Sequence, residues 1–175
     1  RPALRTATGT WTYGELLRHA NQAAHVLTEE CGLVPGNRVL LRGPNNPWLI
    51  AAWFAVLKAG GVAVTTMALL RAGEIAALAD ITQPSLAVCD HRFAGELTAA
   101  DLGIPAVLYG GGSAGDLVSR CEGKSLTFEA VATAADDVAL LQVRGVPRLK
   151  AVSIGSSAGV QVGTPVLAIG NEAGQ

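Results

Sequence analysis

The sequence predicts an α/β fold over residues 10–140, a mainly parallel sheet with helices on both faces, followed by a short β-rich tail. Three observations predict it. Short apolar runs alternate with segments of helical period, the pattern of βαβ units. The strand-like runs, such as Val39-Leu40-Leu41, are continuously apolar rather than alternating, which suits a sheet covered on both faces. After about Asp137 the helical patterns stop, and Gly- and Ser-rich turns separate strand-like segments.

Trp11-Thr12-Tyr13 forms a short strand or the approach to a helix. Thr12 and Glu15 have the spacing of a capping box, and Leu16, Ala20, Ala23, Ala24 and Leu27 then share one helical face. Gly32 stands where a helix C-cap is expected, and the turn Pro35-Gly36-Asn37 leads into the strand Val39–Leu41. Asn46 and Pro47 are an N-cap followed by proline at the first helical position. The helix they open runs to Lys58 and is apolar nearly all round, so burial on more than one side is expected. Gly60-Gly61 ends it before the strand Val62–Val64. A helix over 72–79, a strand over 86–88, a helix over 93–100 and a strand over 106–109 complete the alternation. In the tail, 138–143, 149–154 and 165–169 are the expected strands.

Of the 175 residues, half are hydrophobic and 15% charged, which excludes a disordered chain. A net charge of −1 with scattered Lys and Arg argues against a nucleic-acid partner. The longest apolar run, Trp48 to Leu57, is too short to span a bilayer, and residues 1–5 hold no signal-peptide hydrophobic region. Cys31, Cys89 and Cys121 fit no zinc or redox spacing and are expected to be reduced thiols of a cytoplasmic protein. The start without Met and the end within Gly170–Gln175 give both termini the look of cut ends.

Several motifs tempt a chemical reading. Gly110–Gly115 satisfies Gly-x-Gly-x-x-Gly after a strand, with Glu129 at a plausible distance for a ribose contact. Only Asp116–Cys121 could form the helix that a dinucleotide site needs, so a surface loop is expected. Gly155–Gly159 satisfies Gly-x-Ser-x-Gly, yet a strand-like segment follows and no histidine lies beyond His91; a turn is expected. His91, between Asp90 and Arg92, is expected to begin a loop or helix. Lys58 should offset the dipole at the end of its helix, and Trp48, Trp53 and Phe54 should pack in the core.

Thr12-Tyr13-Gly14-Glu15-Leu16 and Leu57-Lys58-Ala59-Gly60-Gly61-Val62 resemble two signatures of the adenylate-forming (AMP-forming) superfamily, and the likeness covers residues 10–140. The runs Arg38–Trp48, Thr65–Arg71 and Cys89–Phe93 are most similar to 2-aminobenzoate–CoA and benzoate–CoA ligases, with Ala68 departing from that group's usual proline. The resemblance implies an ATP-dependent ligase. A carboxylate attacks the α-phosphate of Mg-ATP, releasing pyrophosphate, and the CoA thiol then displaces AMP. It implies ATP, Mg and CoA as cofactors and an aryl carboxylic acid as substrate for the intact family. The family's phosphate loop, rich in Ser, Thr and Gly and ending Gly-x-Pro-Lys, follows a strand like Asp137–Leu141. Here Gln142-Val143-Arg144-Gly145-Val146-Pro147-Arg148 stands in its place. No catalytic, cofactor-binding or metal residue is therefore carried over. The chain is expected to be a fragment, domain 1–140, that binds none of these cofactors and is inactive alone. Its uncovered apolar surfaces are expected to drive self-association.

From Asp137 to Gln175 the chain resembles a bacterial trypsin-like serine protease of the high-temperature-requirement type. The likeness lies in Asp137–Leu141, Ile154–Ser157 and Val162–Asn171. It implies that Asp137 stands at the triad aspartate position, the one catalytic candidate under this alternative. Its histidine and serine partners are missing: His19, His25 and His91 all precede it within the ligase-like part. A chimera joined near 136–142, with 141–175 as a β-rich tail, and a non-catalytic folded module are the further alternatives.

Overall fold

The computed structural model describes residues 1–6 and 9–133. It begins with a hairpin of two antiparallel strands, β1 (Pro2–Thr6) and β2 (Gly9–Thr12), which form a sheet of their own. The main sheet has four parallel strands: β3 (Arg38–Arg42), β4 (Val62–Thr66), β5 (Leu86–Asp90) and β6 (Ala106–Tyr109). Their order across the sheet is β4-β3-β5-β6. Leu40 is registered with Val64 on one side and Ala87 on the other, and Val88 with Val107. This is the expected α/β architecture.

Helix α1 (Tyr13–His25) starts as its sequence dictates. Thr12 Oγ1 accepts from the Glu15 amide at 3.2 Å, and Glu15 Oε2 accepts from the Thr12 amide at 2.7 Å, closing the capping box. Leu16, Ala20, Ala23, Ala24 and Leu27 are all buried, as their spacing predicts. The helix then widens into one π-type turn, Val26–Glu30, in which the Cys31 amide reaches back to the Val26 carbonyl at 3.2 Å. Gly32, at a φ of 69°, ends it in the left-handed conformation that glycine adopts without strain.

Helix α2 (Pro47–Lys58) is capped by Asn46, whose Oδ1 accepts from the Leu49 amide at 2.9 Å. Burial on more than one side is expected from the sequence, and the fully buried residues form one stripe. Ala51, Ala52, Ala55 and Val56 are buried, whereas Trp53, Phe54 and Leu57 are each more than a third exposed. The small residues let α2 lie close on its neighbours, and among the described residues the opposite side is only partly covered. The Trp53 and Phe54 rings meet edge-to-face at 5.0 Å on that outer surface rather than in the core; Trp48 alone of the three packs against the core.

Helix α3 (Ala72–Thr82) is longer than expected and ends at Gln83 in the left-handed region. The single helix expected over 93–100 is instead a 3₁₀ turn at His91–Phe93 followed by α4 (Ala94–Ala99). The last helix is the short α5 (Leu117–Cys121). The core has two layers. Val39, Leu41, Leu86, Val88, Val107 and Tyr109 face α1, α2 and α5, while Leu40, Ala87 and Cys89 face Ile75 of α3 and Leu97 of α4. Burial on both faces is why these strands are written as continuous apolar runs.

Arg42 breaks that apolar pattern at the end of β3. It is 1% exposed, and its guanidinium donates to the carbonyls of Phe93 (3.2 Å), Met67 (3.0 Å), Ala68 (2.8 Å) and Leu70 (2.8 Å). It thus ties the loop after β4 to the turn after β5, and the carbonyl dipoles satisfy a charge that burial would otherwise make very costly.

Candidate functional site

In open parallel sheets ligands bind beyond the carboxyl ends of the strands, where the strand order reverses. Here the reversal lies between β3 and β5: from β3 the chain goes outward to β4, then crosses back to β5 and on to β6. The segments Gly43–Asn46, Asp90–Phe93 and Tyr109–Gly112 meet at that edge.

Asp90, the last residue of β5, is buried at its centre. Its Oδ1 accepts from the Arg92 amide at 3.1 Å and from Arg92 Nε at 2.9 Å. Its Oδ2 accepts from Arg92 Nη2 at 2.8 Å and Asn46 Nδ2 at 3.0 Å. The Arg92 hydrogen bonds hold the carboxyl below its ordinary range, against the opposing effect of burial. His91 Nδ1 stands 3.6 Å from Oδ1, and the ring is 43% exposed. As expected, His91 begins a helical turn. Asn46 serves two elements at once, capping α2 through its oxygen and bracing Asp90 through its nitrogen.

Tyr109, at the end of β6, packs its ring into this edge at 1% exposure. Its hydroxyl is buried without a hydrogen bond of its own, although Asn46 lies alongside, and burial pushes its pKa well up. Gly43 is what admits it, because a Cβ at position 43 would collide with the Tyr109 hydroxyl.

The glycine loop after β6 is filled by its own chain. Asp116 Oδ2 accepts from the amides of Gly111 (2.6 Å) and Gly112 (3.2 Å), and Oδ1 caps α5 through the Val118 amide (2.8 Å). With only a five-residue helix behind it and a carboxylate already on its amides, this loop lacks the helix and the free amides of a dinucleotide fingerprint. Glu129 is exposed.

The arrangement positions groups of the fold. All four bonds to Asp90 come from donors of the fold, and Arg92 spends its fork on Asp90. Burial pushes the Cys89 thiol up to about 11 and the Cys121 thiol to about 12, so neither is a thiolate near neutral pH. Among the described residues no group of three His, Cys, Asp or Glu could hold a metal ion. A cleft of about 460 Å³ opens beside the cluster over Arg42, Leu70, Arg92 and Phe93, rimmed by Arg71, which pairs with Glu96 at 2.9 Å.

Asp137, the sequence's only catalytic candidate, lies outside the described residues, as do Gln142–Arg148, Gly155–Gly159 and the rest of the tail. Sequence reasoning singled out His91 and Asn46 but missed the bonds of Asp90 and the role of Arg42. The available signals were an arginine closing an apolar strand and an aspartate two residues before an arginine at a strand end.

Comparison with known proteins gives this geometry its context. Residues 1–143 match the family model described as AMP-binding enzyme. The chain is 31% identical over 120 residues to malformin synthetase mlfA of Aspergillus brasiliensis, covering 69% of this chain and 2% of that protein. It is 37% identical over 78 residues to the salicyl-AMP ligase / salicyl-S-ArCP synthetase of Mycobacterium tuberculosis, covering 45% of this chain and 14% of the other. Its fold is similar to that of ATP-bound MatB from Rhodopseudomonas palustris, with a TM-score of 0.69 and 27% identity over 78% of this chain and 28% of MatB. The chain thus spans a small part of each relative's length. The family match runs through Asp137 to residue 143, so the strand-like word Asp137–Leu141 needs no protease ancestry to account for it. That match covers most of the chain, including the parallel sheet and both sequence signatures, and the chain belongs to the AMP-binding enzyme family.

Proposed function

We propose that this chain is the leading scaffold of an ATP-dependent, AMP-forming aryl-acid–CoA ligase, and that alone it does not form an acyl-adenylate. One observation carries the reading. The family match extends to residue 143, and the next residues, Arg144-Gly145-Val146-Pro147-Arg148, lack the hydroxyls and lysine of a phosphate loop. Two features support this reading: the paired amides of Gly111 and Gly112 already hold Asp116, and among the described residues no group of three His, Cys, Asp or Glu could hold a metal ion. We therefore assign nucleotide, metal and CoA binding to parts of a longer ligase. The aryl-acid preference rests on Arg38–Trp48 and Thr65–Arg71 and on the likeness to a salicyl-AMP ligase.

In the same reading, 1–140 is the ligase part and 141–175 a β-rich tail that resembles a trypsin-like protease segment. The protein is cytoplasmic, with Cys31, Cys89 and Cys121 as free thiols, and binds neither nucleic acid nor membrane. No helix among the described residues is long and apolar enough to cross a membrane.

The test is ATP–pyrophosphate exchange with the full 175-residue chain, using benzoate, 2-aminobenzoate and salicylate. No exchange above background is expected. Exchange by the chain alone would overturn the scaffold reading. Single-molecule sequencing of the source DNA across the codons for 130–150 decides the join; a reading frame that runs instead into a Ser/Thr/Gly-rich loop ending in lysine would refute the chimera.

A further inference from the structure

The β1–β2 hairpin has no fully buried residue; Ala3, Leu4 and Trp11 are half-buried and the rest is exposed. What ties it to the helices is a cluster of three rings. Trp11 of β2 lies 4.4 Å from His19 of α1, centroid to centroid, and His19 lies 4.8 Å from Trp48 of α2. The two indoles meet edge-to-face at 5.5 Å. His19 Nδ1 is buried within this cluster and has no hydrogen-bond partner. A hairpin and two helices thus converge on one imidazole whose Nδ1 is buried without a hydrogen-bond partner.

We propose that the Trp11–His19–Trp48 cluster is a proton-operated latch: neutral His19 holds the hairpin on α1 and α2, and protonation of the ring releases it. A proton on Nδ1 would place a charged donor at a buried atom without a hydrogen-bond partner, on a ring that is half-buried, and that costs free energy. The two indole faces compensate in part through cation–π attraction.

The surrounding charges favour the neutral ring. Burial chiefly, and then the positive charge of Arg18, hold His19 below its ordinary 6.5, against the smaller opposing effects of a side-chain hydrogen bond with Gln22 and of the Glu15 charge. All three of these neighbours lie on α1; β2 and α2 contribute the indoles. Glu15 is held below its ordinary 4.5 by its bonds to Thr12 and stays ionised through the range, so His19 carries the change. The sign follows from linkage. A released His19 titrates near 6.5 and a docked one lower, so docking is complete above about 6.5. It weakens as pH falls below that value, by up to about tenfold per pH unit until the docked ring's own pKa is reached.

The experiment uses the full chain. The His19 ring protons are titrated by NMR, and amide hydrogen exchange of the hairpin is compared at about pH 7.5 and about pH 5 after correction for intrinsic rates. The latch predicts a His19 pKa below 6.5 and hairpin protection that falls several-fold at the lower pH while β3 stays protected. In His19→Phe, which keeps an aromatic ring but cannot titrate, that fall disappears. A His19 pKa at or above 6.5 would show the imidazolium at home between the indoles and overturn the proposal. So would an equal fall in His19→Phe, or none in the wild type. Should His19→Phe not fold, the wild-type titration alone still decides.

Discussion

At the scale of single residues, the carboxyl edge of the sheet is governed by two side chains that chemistry would ordinarily keep in water. Asp90 is acceptable there because Arg92 and Asn46 supply three side-chain hydrogen bonds and the Arg92 backbone a fourth. Because its folded pKa lies below the ordinary 3.8, its contribution to stability is fully present above that value and is lost as pH falls through the lowered one. Denaturation of wild type and Asp90→Asn should therefore differ near neutral pH and converge in acid; a pH-independent difference would remove the charge from the explanation. Tyr109 is the opposite case, a buried hydroxyl without a hydrogen bond of its own. Tyr109→Phe should be neutral or stabilising by up to about 1 kcal/mol. Gly43→Ala should destabilise, and less so in the Tyr109→Phe background, because the hydroxyl is the atom the new Cβ meets first. Sequence made one of Asn46's two roles legible: an Asn-Pro pair announces a cap, but nothing local announces a bond to a carboxylate 44 residues away.

Among the elements, the legible ones were those whose local chemistry and tertiary burial agree. The Thr12–Glu15 box and the spacing from Leu16 to Leu27 placed α1, and removing either half has a defined cost. Thr12→Ala should lose about 0.5–2 kcal/mol. Leu27→Ala, in the packed core, should lose about 2–5 kcal/mol. Urea denaturation measures both, and equal costs would contradict the separate origins given to them. The elements that sequence missed are those in which one influence is weak. The β1–β2 hairpin buries almost nothing, so its strands carry no alternation to read. The segment after β5 keeps its helical spacing, but Asp90 accepts from the Arg92 amide and turns the first three residues into a 3₁₀ start. Helix α2 misled in another way: apolar composition reports that a face can be buried, and which face is buried depends on partners elsewhere in the chain.

For the whole molecule, the same exposed surface becomes the dominant physical fact. Tyr13, Leu17, Trp53, Phe54 and Leu57 remain uncovered among the described residues, and Tyr13, Leu17 and Phe54 line an apolar cleft of about 400 Å³ between α1 and α2. Contiguous apolar surface of this kind drives association. Light scattering of the purified chain should show oligomers that Leu17→Lys and Phe54→Glu together reduce; a monodisperse wild-type monomer would contradict this. The α/β class and the ligase kinship were legible because both are written in apolar periodicity and short signatures spread along the first three-quarters of the chain. The phosphate loop is a contiguous word that Gln142–Arg148 does not spell, so the expectation of a scaffold without a reactive centre comes from sequence alone, at a segment outside the described residues. The most direct test of a scaffold without a nucleotide site is calorimetric titration of the full chain with Mg-ATP. No saturable heat is predicted, and saturable binding would place a working nucleotide site within these 175 residues and contradict the proposed role.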